Sequence, residues 1–147
     1  MNMKTGDFSP IDAQELLASV FAPWVQALNI RVAGFDEAGG DFEVPENRDI
    51  CLRGGPGEGV ICGQAVCSIA DTVAVLTLAG VNKRFRNCTT LDLSCNFLRP
   101  LPVGPVDVRA EAISNGRKTA VVRCEFRSAG SSKLAATANC AFLYLED

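Results

Sequence analysis

The chain has 147 residues, 14 of them basic and 17 acidic, for a formal net charge of −3. That length suits one domain that buries roughly 68–70% of its unfolded surface, and the absence of a basic excess speaks against a nucleic-acid partner. There is no histidine. Ser-His-Asp and Cys-His nucleophile pairs and histidine metal sites are therefore excluded, and carboxylates, hydroxyls, amides, thiols and backbone dipoles are left to carry any catalysis.

The first ten residues, MNMKTGDFSP, lack the basic-then-apolar pattern of a secretory signal. This predicts a cytoplasmic protein with reduced thiols. Ser9 is a good N-cap, Pro10 fits the first helical position and Asp12 lies in the first turn, so a helix is expected there. Its buried stripe reads Ile11, Leu16, Leu17 and Val20. Pro23 ends or kinks it, and residues 24–28 form a short helical turn. Residues 30–35 read as a strand, residues 37–40 (Glu-Ala-Gly-Gly) as a hairpin turn and residues 41–45 as the return strand. A loop follows, with glycines at 54, 55, 57 and 59.

Residues 61–81 are almost wholly apolar or small, yet carry Asp71 near their middle. A helix of that length is about 30 Å long, and one that is apolar all round has to be buried. Gly80 and Asn82 supply a stop, and Lys83, Arg84 and Arg86 suit the negative end of the helix dipole. The length also matches a transmembrane span. A mid-bilayer aspartate costs roughly 2.5–3.5 kcal/mol, and the segments that follow need a core, so the helix is read as a core element and no membrane is expected.

Four strands come next. In residues 89–98, Leu91, Leu93, Cys95 and Phe97 share a face. Val106, Val108, Ala110 and Ala112 alternate with Asp107, Arg109 and Glu111. Asn115-Gly116 is a hairpin signal, after which Lys118, Ala120, Val122, Cys124 and Phe126 alternate with Arg117, Thr119, Arg123, Glu125 and Arg127. Residues 134–145 close the chain. Such strands form an antiparallel sheet covered on one side, and a sheet curled round one apolar helix is an α+β fold. The seven cysteines contain no C-x-x-C pair, so no zinc or other metal is expected.

At 100° per residue, Gln64, Ser68 and Asp71 fall within about 60° of one another, and the stripe turns apolar one turn later at Val75 and Leu78. Two readings stay open. Asp71 is either a structural aspartate, bonded to a hydroxyl such as Thr72 or to strand backbone, or a functional group. The glycine-rich loop that leads to the helix offers N–H donors and a positive dipole end, which can hold a phosphate or polarise a carbonyl, or it is simply a tight turn. Cys62 stands at the same end, where thiolates are stabilised, but no histidine can serve as its base.

G-x-x-C-G-Q-x-x-x-x-x-A-D-T (Gly59 to Thr72), then T-T-L-D-L-S-C-N-F-L-R-P (Thr89 to Pro100), then N-G-R-K (Asn115 to Lys118) together resemble the hotdog-fold acyl-CoA thioesterases of the phenylacetate-degradation (PaaI-type) subgroup. The resemblance covers nearly the whole chain. It implies a sheet wrapped round the helix at 61–81, a homodimer with a continuous sheet, often a dimer of dimers, and hydrolysis of a fatty or aryl acyl-CoA. Coenzyme A is then part of the substrate, and no separate cofactor is needed.

Carried over to this chain, Asp71 is the general base or nucleophile, the Gly63 N–H polarises the thioester carbonyl and Thr90 helps to hold water. The family's H-G-G reads Cys62-Gly63-Gln64 here, and Pro56 stands where a polar residue often precedes the motif. Gln64 is expected to take over positioning of the thioester, with Cys62 and Ser68 as substrate contacts beside it. Arg99, Arg117 and Lys118 are candidates for the coenzyme A phosphates. Gly63 and Asp71 are about 12 Å apart along a helix, so one protomer cannot bring both to one carbonyl, and a site shared across a dimer follows. The missing histidine motivates the alternative of a non-catalytic acyl-ligand binding protein, and argues against a hydratase.

Overall fold

The structure, a computed structural model, describes residues 8–146. The reading of the N-terminal segment as lacking a signal rests mainly on residues 1–7, which lie outside the described residues.

Six strands form one antiparallel sheet: β1 (Arg31–Phe35), β2 (Gly39–Val44), β3 (Cys88–Phe97), β4 (Val106–Asn115), β5 (Thr119–Ser128) and β6 (Ala136–Tyr144), in the spatial order β1-β2-β4-β5-β6-β3. The long helix α3 (Gly63–Asn82) packs on one face of this sheet, beside α1 (Pro10–Val20). Alternation does what the sequence predicts. Val106, Val108, Ala110, Ala120, Val122, Cys124 and Phe126 point at the helix and are buried. Outside, Arg109 pairs with Asp36, Asp41 and Glu111 on the solvent face. Ala65, Val66, Ile69, Ala70, Val73, Ala74 and Leu76 of α3 fill the concave side. Truncating a side chain such as Leu76 there costs about 2–5 kcal/mol. The helix has the length and hydropathy of a membrane span, but the sheet covers most of it.

The helix is shifted from its expected bounds at both ends. It starts at Gly63 because the two residues before it are used in bridges. The Ile61 N–H donates to the Leu101 carbonyl at 2.8 Å and the Cys62 N–H to the Ile50 carbonyl at 2.9 Å. It runs through Gly80 and stops at Lys83, whose φ is 58°. Gly80 is thus no stop. A Cβ there would lie 2.4 Å from Cδ1 of Phe35, so glycine is required by the close approach of a ring.

In α1 the capping box forms as its residues suggest, with Asp12 accepting from the Ser9 N–H and Ser9 Oγ from the Asp12 N–H. Its buried face is Ala13, Leu16 and Leu17, while Ile11 and Val20 are exposed. Pro23 not only ends α1 but opens α2 (Pro23–Gln26). The glycine-rich loop folds back on itself, with Gly55 and Gly59 at φ 80° and 82° and the Gly59 N–H donating to the Leu52 carbonyl. The loop therefore closes its own turn before the helix begins, and does not run straight into it.

Candidate active site

The N-terminus of α3 is left open. Its N-cap is Cys62, whose side chain caps nothing. Ser, Thr, Asp or Asn in that place would satisfy one of the free amides. The Ala65 and Val66 N–H groups turn to the Cys62 carbonyl, at 3.2 and 3.3 Å. Among the described residues, the N–H groups of Gly63 and Gln64 have no acceptor. Phe97 lies over Gly63, with Cζ 3.3 Å from where a Cβ would stand. Two free donors at the positive end of a 20-residue helix can polarise a carbonyl oxygen.

Two turns further along, Thr90 Oγ1 donates to Asp71 Oδ1 at 2.7 Å. Thr72, the other hydroxyl considered for Asp71, donates to the Ser68 carbonyl. Simple alternation puts Thr90 on the face opposite Leu93, away from the helix. A β-bulge overrides it: Thr90 pairs with Phe142 and Asp92 with Ala141, so Leu91 is an extra residue. The bulge switches the parity of the strand. Cys88, Thr90, Leu93, Cys95 and Phe97 then share the helix-facing side, and Leu91 is 56% exposed. A carboxylate held by one hydroxyl keeps its second oxygen free to take a proton from water or to attack a carbonyl carbon.

Gln64 is exposed and Ser68 half-buried on the same stripe, with Ser68 Oγ turned back to the Gln64 carbonyl. Arg99 lies at the Gly63 end, donating to the Leu134 carbonyl at 3.2 Å. Arg117 and Lys118 sit in the β4–β5 hairpin, by the other end of α3, where Asn82, Asn115 and Tyr144 are joined by hydrogen bonds. One protomer therefore does not bring the three cations together.

The thiols of Cys67, Cys88 and Cys95 behave as packing groups. Cys67 of α3 and Cys95 of β3 touch at 3.1 Å. Burial, and then Cys67, push the Cys95 thiol up to about 12. Burial, and then the Asp71 charge, raise Cys88. Protonated thiols are poor nucleophiles. The Cys67–Cys95 contact and the ring of Phe97 over Gly63 had no signal in the sequence, since each depends on strand register.

The thioesterase superfamily model matches residues 58–135, just over half of the chain, and spans Gly63, Asp71 and Thr90. The chain belongs to the thioesterase superfamily. A protein of Saccharolobus solfataricus that carries a provisional esterase name is 28% identical over 129 residues, 88% of each chain. A thioesterase of Haemophilus influenzae superposes with a TM-score of 0.81 at 22% identity, over 99% of this chain and 96% of that one. A phenylacetic acid degradation-related protein of Ralstonia eutropha, provisionally a thioesterase, superposes with a TM-score of 0.73 at 24% identity, over 89% and 98%. The fold is the hotdog fold of these proteins, and thioester hydrolysis is the activity class of the family.

Proposed function

We propose that the protein hydrolyses acyl-CoA thioesters at a site shared between two copies of the chain. The observation that carries this reading is the 2.7 Å bond from Thr90 to Asp71, in a helix whose N-terminal amides are free. The Gly63 N–H of one protomer receives the carbonyl oxygen, and Gln64 helps to position the thioester. Asp71 of its partner, oriented by Thr90, takes a proton from water as the water oxygen attacks the carbonyl carbon. The C–S bond then breaks, and the proton returns to the leaving thiolate. Direct attack by the carboxylate is the other route open to the same atoms.

Dimerisation is supported by the edge of the sheet. β3 is a ten-residue edge strand with Leu91 and Phe97 exposed, and Leu98 follows it. A long uncovered edge strand presents unpaired N–H and C=O groups, a template for pairing with another chain. Arg99, Arg117 and Lys118 serve the coenzyme A phosphates, the last two from the partner's hairpin. Replacement of the family's histidine by Cys62 keeps one rival in view, an acyl-ligand binding protein without turnover.

The test is release of free thiol from a panel of acyl-CoAs by wild type and by Asp71→Asn, which retains an acceptor for Thr90. Hydrolysis lost in the variant is the expected result. Tight binding without turnover by wild type favours the rival, and equal turnover by both proteins removes Asp71 from the mechanism. A stable monomer at micromolar concentration contradicts the shared site.

A further inference from the structure

We propose that Trp24 is a specificity-determining residue, and that the cavity it lines receives the acyl group, selecting compact flat acyl groups such as arenes. The inference rests on the thioesterase reading above and adds to it which way the substrate lies.

Two cavities meet at the N-terminus of α3. One, about 520 Å³, contains Gly63, Phe97 and Arg99 in its wall; the other, about 350 Å³, lies between α2 and α3 and is walled by Trp24, Leu28, Ile50, Ala65 and Ser68. Cys62 and Gln64 belong to both. A thioester carbon is planar, and its sulfur and acyl substituents leave it in different directions. With the oxygen on the Gly63 N–H, one substituent enters each cavity.

Charge decides which. The nucleotide half of coenzyme A carries phosphates, and the larger cavity has Arg99 in its wall. Among the described residues, the smaller has neither Lys nor Arg in its wall but has Asp49, which repels phosphate. The pantetheine arm and nucleotide therefore run past Arg99, and the acyl group goes to Trp24. The indole is 62% exposed at a cavity otherwise walled largely by small and aliphatic side chains. A ring inserted there gains offset or edge contact with the indole, which a two-carbon acyl group cannot reach.

Trp24 is the sole tryptophan of the chain, so it reports its own occupancy. In full-length Asp71→Asn, benzoyl-CoA is expected to change the tryptophan emission saturably and coenzyme A alone to leave it unchanged. In Trp24→Ala, the ratio of kcat/KM for benzoyl-CoA over acetyl-CoA is expected to fall about tenfold or more, with Trp24→Phe restoring most of it. An unchanged ratio, or an emission change of equal size with coenzyme A alone, overturns the assignment. An emission response to benzoyl-CoA in a wild type that hydrolyses nothing supports the cavity and removes the proposed activity. Hydrolysis with an unchanged ratio does the reverse.

Discussion

Thr90 Oγ1 reaches Asp71 Oδ1 at 2.7 Å from a strand position that plain alternation turns outward. The bond crosses from the sheet edge to the central helix and fixes one carboxylate oxygen. A hydrogen bond to a charged group contributes about 1.5–3 kcal/mol, so Thr90→Val is expected to lower kcat about 10- to 100-fold. KM should move little, because the hydroxyl orients the base and not the substrate. Thr90→Ser should restore most of the rate. Equal kcat in Thr90→Val and wild type would remove the hydroxyl from the site.

The uncapped start of α3 gives a second expectation. A hydroxyl at position 62 can accept from the second or third amide of the helix. Cys62→Ser should therefore raise stability by about 1 kcal/mol, read as a higher urea midpoint. The Gly63 N–H stays free, so thioester hydrolysis should persist. Abolished turnover in a folded Cys62→Ser protein would mean that the thiol itself reacts.

Gly80→Ala separates propensity from packing. Alanine favours an isolated helix by about 0.8–1.0 kcal/mol over glycine. Here the new methyl meets three ring carbons of Phe35, at 2.4, 2.7 and 2.8 Å. Overpacking of this kind costs about 1–3 kcal/mol, and it should win, giving a lower urea midpoint. Adding Phe35→Leu should return part of the loss. A higher midpoint for Gly80→Ala alone contradicts the contact.

The outer face carries an acid-sensitive pairing. The Arg109 guanidinium, with the Gly39 amide, holds the Asp36 carboxyl down from 3.8 to about 2. A carboxyl whose folded value lies below its unfolded one stabilises the fold above the unfolded value, and that stabilisation fades as the pH falls from about 4 towards 2. The Tm difference between wild type and Asp36→Asn should therefore narrow across that window. Asp36 is solvent-exposed, so the difference is small even at neutral pH. A gap that widens on acidification contradicts the pairing.

Much of this fold is legible in the sequence, for local reasons. Val106, Val108 and Ala110, or Ala120, Val122 and Cys124, declare their faces by period two. Ser9, Pro10 and Asp12 declare the start of α1. The order of the elements and the buried character of α3 follow from the same patterns. What escaped depends on register or on distant packing. Leu91 and Leu93 look like one face until the bulge separates them. Gly80 looks like a stop until Phe35 is seen above it. Ile11 and Val20 fit a helical stripe, but the core meets α1 at Ala13, Leu16 and Leu17. In the candidate site, Asp71, Gly63 and Gln64 announce themselves by position on one helix. Trp24 does not, because only the tertiary fold brings α2 beside Gln64.

Leu91 has one more consequence. It has no partner residue across the ladder to β6. Without it, the strand would alternate without interruption and Thr90 would still face Asp71. The residue acts as a one-letter insertion in a two-letter reading frame. A relative that lacks it can present the same hydroxyl to its helix one residue nearer to the end of the strand. An ungapped alignment through this strand would then match Thr90 with an outward-facing residue. Equivalent positions in this family have to be matched by the face they occupy, not by their count along the chain.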